Sequence, residues 1–305
     1  MEGPRYPGRP SSGGLRVATI NVWGRRGAWA ERRRVLADGF LALRPDLISF
    51  VESIKTDDYD LVTDILGPEY YVAHQKDREA YRADNPKDEQ DLYGMEDGQG
   101  VSIASRWPLG EVREVDLDVT SRTGDFAHTT LLAEVLAPEP IGPLLFLCHN
   151  CSWQLTFEHE RELQAVAVAR FVEKLLRRRS MHVVLAGDFD ATPDAASIRF
   201  WTGRQSLGGM SVCYRDAWET VHPGESGHTF TARNPLMTAE NDDWALELGR
   251  RIDYIFVRCG EHGPTLDVTA SERIFDEPVD GVWASDHFGV IADLVTRTSN
   301  GRPAW

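Results

Sequence analysis

The sequence predicts one α/β domain, and three observations carry that prediction. Short apolar runs of strand character recur from Leu15 to Val295, amphipathic helices are interleaved with them, and no shift in composition divides the chain. Its 305 residues, 42% hydrophobic and 10% aromatic, can bury one large core or two ordinary ones. Without a boundary, one core is expected.

Leu15–Asn21 alternates with period two and reads as a strand ending on a polar residue. Residues 30–43 set Glu31, Arg32, Arg33 and Arg34 beside Val35, Leu36, Phe40 and Leu41, a basic amphipathic helix that Arg44-Pro45 stops. Residues 46–52 form the next strand, 57–66 a helix and 70–74 a strand. Residues 75–98 are charged and contain Asn85-Pro86, a length of loop expected to be mobile or functional. Strands at Gln99–Ser105, 111–117, 127–136 and 144–148 follow at the rhythm of an antiparallel sheet. The longest helix, 157–179, repeats Leu163, Ala167, Phe171 and Leu175, with Val168, Val172 and Leu176 widening the stripe. Its terminal Arg177-Arg178-Arg179 suits a solvated helix end. A buried strand from His182 to a stop at Gly187, a helix at 194–201, a loop-rich stretch at 202–247 and strands at 251–257, 266–270 and 289–295 complete the chain.

Composition excludes several classes. Residues 1–14 are rich in Pro, Gly, Ser and Arg and lack the apolar core of a secretory signal. They are expected as a disordered leader, with the domain at 15–297 and a tail at 298–305. No run approaches the roughly 20 apolar residues of a membrane span. Cys148 and Cys151 form a C-x-x-C pair without a second pair at zinc-site spacing, so free buried thiols are expected. A cytoplasmic monomer without stable membrane association follows from these features. The net charge of −15 argues against holding nucleic acid by bulk electrostatics. It leaves a nuclease open, because carboxylates clustered for Mg²⁺ themselves add negative charge.

The candidate chemistry centres on residues 182–193. An apolar strand leads to Asp188 and Asp190, two residues apart, before Thr192-Pro193 turns the chain. Such a strand fixes the carboxylates while the loop leaves them open to substrate; an Asp-rich turn capping the next helix is the plainer alternative. Other strand ends carry Asn21, Glu52 and His149-Asn150; Asp253 lies within a strand, and Asp286-His287 precedes the last one. Mg²⁺ and Mn²⁺ take oxygen ligands from one or two carboxylates, with water and phosphate completing the octahedron. A histidine beside them serves as acid or base, or steadies phosphoryl charge, and a second carboxylate sets its tautomer. His149 and His287 also fit as satisfied core histidines, and Asp253 as an acid pairing with Arg251.

Read together, these blocks resemble the endonuclease/exonuclease/phosphatase superfamily. In family order stand Thr19-Ile20-Asn21-Val22-Trp23, Phe50-Val51-Glu52-Ser53, Cys148-His149-Asn150, Gly187-Asp188-Phe189-Asp190 and Ser285-Asp286-His287. Arg251-Ile252-Asp253-Tyr254-Ile255 matches a further block, and Arg161 and Gln164 fit the helix after the histidine. The resemblance implies a four-layer sandwich like that of deoxyribonuclease I: two mostly antiparallel sheets packed face to face, with helices outside. It implies hydrolysis of a phosphoester, a phosphodiesterase or nuclease first. An inositol-phosphate or phospholipid head-group hydrolase resembling sphingomyelinase is the alternative, and a silent phosphate-binding module the last. Glu52 is then the principal ligand of Mg²⁺ or Mn²⁺, supported by Asn21 and Asp286. His287 is base or phosphate-stabiliser, oriented by Asp253. His149 contacts the scissile phosphate or assists the leaving group, and Asp188 positions water or supports a second metal. Asn150 and His228 are substrate contacts, although His228, in Gly227-His228-Thr229-Phe230, suits a turn equally well. Two positions depart from the pattern: Val51 replaces a glutamine, and Asp190 an asparagine. An ionised carboxylate repels a phosphate that an amide would bond. So either Asp190 binds a second cation, or it is protonated, or the phosphate sits differently.

Overall fold

The computed structural model describes residues 13–76, 97–124, 128–177, 179–239 and 249–297. Central strands of the sequence are apolar on both faces because each is covered twice. In β1 (Leu15–Asn21), Leu15 and Val17 face a core shared with the opposite sheet, while Ala18 and Ile20 lie under helix α1 (Trp29–Leu43). In β8 (His182–Asp188), Val184 and Ala186 enter the same shared core, and Val183 and Leu185 pack beneath α3 (Glu158–Leu176). Period-two alternation therefore separates two apolar layers rather than core from water. Each of the Leu, Ile and Val side chains among them contributes about 1.5–3 kcal/mol by leaving water.

One sheet runs in the order β12 (Leu266–Ile274), β13 (Gly289–Thr296), β1, β2 (Leu47–Ile54), β4 (Gln99–Ser105), β3 (Tyr71–His74). The other runs β11 (Gly263–Pro264), β10 (Asp253–Gly260), β8, β7 (Leu144–Asn150), β6 (Thr129–Val135), β5 (Leu109–Asp116), and β9 (Tyr214–Asp216) also pairs with β10. Only β1–β2 and β7–β8 are parallel among the described residues. Each of these pairs is bridged by a long helix, α1 in the first sheet and α3 in the second, as parallel strands require. The expected four-layer sandwich is thus observed, with two βαβ units back to back.

Several boundaries moved. The helix expected at 57–66 begins at Leu61 (α2, Leu61–Leu66), because the Asp60 side chain accepts from Thr63 N at 3.1 Å and caps it there. Gly187 does not end β8, which continues through it to Asp188. Asp253 opens β10 rather than lying inside it. The α3 stripe is rotated: Leu163 is exposed, and Gln164, Ala165, Val168, Ala169 and Val172 face inward. In α1, Arg32 belongs to the buried face rather than the solvated one. Within the stretch read as loop, β9 and α5 (Ala217–Val221) form, and the helix expected at 194–201 is the shorter α4 (Ala196–Trp201). Cys148 and Cys151 are buried free thiols, as expected. The leader (all but Gly13 and Gly14), the tail, residues 77–96, residues 125–127 (where the strand expected at 127–136 begins), Arg178 and residues 240–248 lie outside the described residues.

Candidate active site

The carboxyl ends of both parallel pairs meet at one edge of the sandwich, and there the sequence's polar residues come together. From the first sheet, Asn21 closes β1 and Glu52 stands in β2 where its register with β4 slips. Glu52 has φ of +56°, a left-handed backbone that turns its carboxylate toward the edge. From the second sheet, His149, Asn150 and Asp188 end β7 and β8, and Asp253 lies directly opposite Asp188 in β10. Gly187 makes this approach possible: a Cβ there would lie 2.0 Å from the His149 carbonyl oxygen.

Side-chain contacts then join the sheets. The Asn21 amide nitrogen donates to Glu52 Oε1 at 3.0 Å and to Asp188 Oδ2 at 3.2 Å, while its oxygen accepts from Trp23 N at 3.0 Å. The Ser285 hydroxyl bonds the Asn21 carbonyl at 2.7 Å and lies 3.1 Å from Asp286 Oδ1. His287 Nδ1 sits 3.0 Å from Asp253 Oδ2 and 3.8 Å from Asp188 Oδ2. Asp190, with φ of +47°, donates its backbone N–H to Asp188 Oδ1 at 3.0 Å. His149 meets the Thr130 hydroxyl through Nδ1 at 2.6 Å, and its ring lies 4.6 Å from that of Phe189.

Several supporting residues carried no mark in the sequence. Arg26 reaches Glu52 Oε2 at 3.0 Å and Gln99 at 3.1 Å. Arg32, buried against the Trp23 ring, donates to the carbonyls of Val22, Arg26 and Ala284, bracing both sides of the edge. Asn234, read only as part of an Asn-Pro turn, donates to the carbonyls of Ser285 at 2.7 Å and Asp286 at 3.1 Å. The Thr229 hydroxyl accepts from Asp253 N at 3.2 Å, and the Phe230 ring lies 4.8 Å from that of His287. The Thr-Phe pair beside His228 was the available signal. His228 itself stands outside the carboxylate cluster. It lines an adjoining groove of about 450 Å³ with Thr192, Asp194, Trp218, His222 and Arg250.

Charge at this edge is unbalanced. Burial raises the Asp188 carboxyl well above its usual range; Asp190 and Asp253 add repulsion, and His287 opposes it. Burial also pushes Asp190 up to about 6 against the pull of Arg250, His287 and Arg161. Asp286 likewise rises to about 6, burial and Glu52 outweighing His287 and Arg32. Burial disfavours charge on His287, yet Asp253, Asp286 and Asp188 more than reverse it and hold the imidazolium well above its ordinary value. His149, by contrast, is pushed down to about 3 by burial and the nearby His128. It is neutral at pH 7.

This donor set fits a hard divalent cation. Carboxylates converge, their repulsion is what a cation relieves, and Asp253 Oδ1 is buried with no hydrogen-bond partner among the described residues. One oxygen each of Asp188 and Asp253 and a nitrogen of His287 lie within 4.8 Å of one another. Within that trio the close His287–Asp253 contact already occupies Nδ1. Glu52 and Asp286 present carboxylate oxygens, the donor type a magnesium-type ion prefers.

A family model described as the Endonuclease/Exonuclease/phosphatase family matches residues 18–287. The chain belongs to that family. Members of this family are hydrolases of phosphoester bonds that generally use divalent metals. A Drosophila melanogaster protein described as "Putative neutral sphingomyelinase" is 25% identical over 302 residues, 92% of this chain. The chain spans 60% of that relative's length. Among solved structures, D. rerio TDP2 complexed with single strand DNA product is 20% identical, with a TM-score of 0.66 over 93% of this chain and 99% of that one. The human Nocturnin catalytic domain with bound sulfate anion is 16% identical, with a TM-score of 0.68 over 93% and 94%. These likenesses show the fold. No helix among the described residues is long and apolar enough to cross a membrane.

Proposed function

We propose that this chain is a Mg²⁺- or Mn²⁺-dependent phosphodiester hydrolase whose reaction takes place at the edge bounded by Glu52, Asp188, His149 and His287. The observation that carries this reading is the continuous polar chain from Glu52 through Asn21 and Asp188 to Asp253 and His287, which crosses between the sheets. Glu52 and Asp286 would hold the ion, with Asn21 fixing Glu52 by its amide N–H. The bound ion would supply positive charge to a phosphate oxygen. Asp188, anchored by Asn21 and the Asp190 N–H, orients the attacking water and accepts its proton, a task suited to a carboxyl raised by burial. His287 is held charged by its carboxylates and donates to a phosphoryl oxygen as negative charge develops there. His149 is neutral and contributes a hydrogen bond without a charge that the carboxylates would trap.

Turnover of bis(p-nitrophenyl) phosphate against Mg²⁺ concentration tests this directly. Metal-dependent turnover is expected, and it should disappear in Glu52→Gln. Metal binding seen by calorimetry without turnover of any phosphodiester would sink the enzymatic reading and leave a phosphate-binding module. Among substrates, nucleic acid is the first reading. A phospholipid head group is the second, favoured by the name of the Drosophila relative and by the net charge of −15. Single-stranded DNA set against sphingomyelin vesicles separates the two.

A further inference from the structure

Two cysteines far apart in the sequence, Cys213 and Cys259, meet on the surface of the second sheet. Tyr214 pairs with Arg258 across the antiparallel strands β9 and β10. One step further out, Cys259 N–H donates to the Cys213 carbonyl at 2.9 Å, so the two residues face each other in a hydrogen-bonded pair. The Cys213 thiol is close enough to act on that of Cys259. In such a pair the Cα atoms stand about 5.5 Å apart, inside the 4.4–6.8 Å that a disulfide spans. Both are free thiols, Cys213 exposed and Cys259 half-buried. Neither belongs to the catalytic edge.

We infer that Cys213 and Cys259 are an oxidation site at which a peroxide forms a cross-strand disulfide. The peroxide oxidises the accessible Cys213 thiol to a sulfenic acid and is itself reduced to water. The Cys259 sulfur then attacks Cys213 sulfur, the S–O bond breaks, and hydroxide leaves with the Cys259 proton as a second water. Per disulfide, two thiols and one hydrogen peroxide give one disulfide and two waters. Burial, together with the neighbouring Cys213, pushes the Cys259 thiol up to about 12. The Cys259 thiol therefore stays protonated at neutral pH, and the exposed Cys213 is the one oxidised first.

The bond has a structural consequence near the groove. β9 runs straight into Asp216, which holds Arg251 at 2.7 Å and caps α5 through Glu219 N at 3.3 Å. α5 and the residue after it present Trp218 and His222 to the groove. A link from Cys213 to Cys259 closes the intervening chain into a covalent loop and fastens this wall to β10.

The test treats the full-length protein with hydrogen peroxide, alkylates the remaining thiols and maps peptides by mass spectrometry. A Cys213–Cys259 cross-linked peptide, two hydrogens lighter than the reduced pair and restored by dithiothreitol, is expected, with Cys148 and Cys151 alkylated only after unfolding. The oxidised protein should melt several degrees higher than the reduced one, and Cys213→Ser, an exposed change, should abolish both the cross-link and the shift. Cys213 recovered as sulfinic acid while Cys259 remains alkylatable would overturn the inference. So would a disulfide-linked dimer through Cys213.

Discussion

Strands β1 and β8 each carry buried polar groups at both ends, and the two ends are built in opposite ways. At the start of β1, Arg16 grips both oxygens of Asp293 at 2.7 and 2.8 Å, donates to the Leu43 carbonyl at 3.1 Å, and gives its backbone N–H to Asp46 at 2.9 Å. The start of β8 carries one buried base, His182. At the far ends, Asn21 and Asp188 enter a crowd of carboxylates that raise one another. The backbone is left-handed there at Trp23, Glu52 and Asp190, each costing on the order of 1–3 kcal/mol. The paired end stabilises the sheet. The far end gives up stability for an electrostatic field that a cation and a phosphate can complete. Burial alone does not separate structural from functional charge; the balance of charge does.

Substitutions at the two ends should therefore fail differently. Glu52→Gln and His287→Ala are each expected to lower kcat/KM by about 10³-fold; the melting temperature should hold or rise for Glu52→Gln, which removes a like charge from Asp286, and fall for His287→Ala, which leaves Asp253 and Asp188 without their counter-charge. A steady-state assay beside a thermal melt reads both. A variant that lost stability but kept its rate would place the site elsewhere.

Arg16→Leu is the converse. Removing one partner of a buried pair leaves Asp293 uncompensated, at a cost of about 3–5 kcal/mol, measurable by urea denaturation, while activity per folded molecule stays near normal. Replacing Asp293 as well, with Leu, should recover much of that loss. If activity fell with Arg16 beyond the folded fraction, the two ends of β1 would be coupled and the division drawn above would fail.

His182 gives the next, smaller effect. Burial pushes it down to about 4 from an ordinary 6.5. The unfolded chain therefore takes up a proton first as pH falls. Stability is full above about 6.5 and is lost progressively toward about 4. His182→Leu should flatten that decline, seen as a smaller drop in melting temperature between neutral and acid conditions. An unchanged decline would assign the acid sensitivity to other groups.

How much of this was legible in the sequence follows from the range of the forces involved. Leu15–Asn21, Gln99–Ser105 and the run to Asp188 were readable because their patterns are local. The acids, amide and histidines of the edge were readable as strand-end residues, and the family blocks supplied their association. Left-handed φ at Glu52 leaves no trace in a residue whose type does not favour it. Arg32 looked like any solvated helix charge, because only the fold brings Trp23 and Ala284 over it. β9 is three residues, Tyr-Arg-Asp, too short for any period, and exists because β10 offers it an edge. Arg26 sits in a glycine-flanked loop whose course depends on Glu52 being in place.

Asp190 is where the comparison is finest. It belongs to the unbalanced end, yet Arg250, His287 and Arg161 all draw its carboxyl down against burial, and its rise stops at about 6. It is thus mostly ionised at neutral pH, partly neutralised by its surroundings rather than by pairing. Its backbone N–H, not its side chain, anchors Asp188. Asp190→Asn keeps that anchor, removes a repulsion from both Asp188 and an incoming phosphate, and supplies a side-chain donor. We expect kcat/KM to stay within a few-fold of the parent or to rise, with Mg²⁺ affinity unchanged by calorimetry. A collapse of activity together with weaker metal binding would make this carboxylate a metal ligand and bring Asp190 into the same class as Glu52.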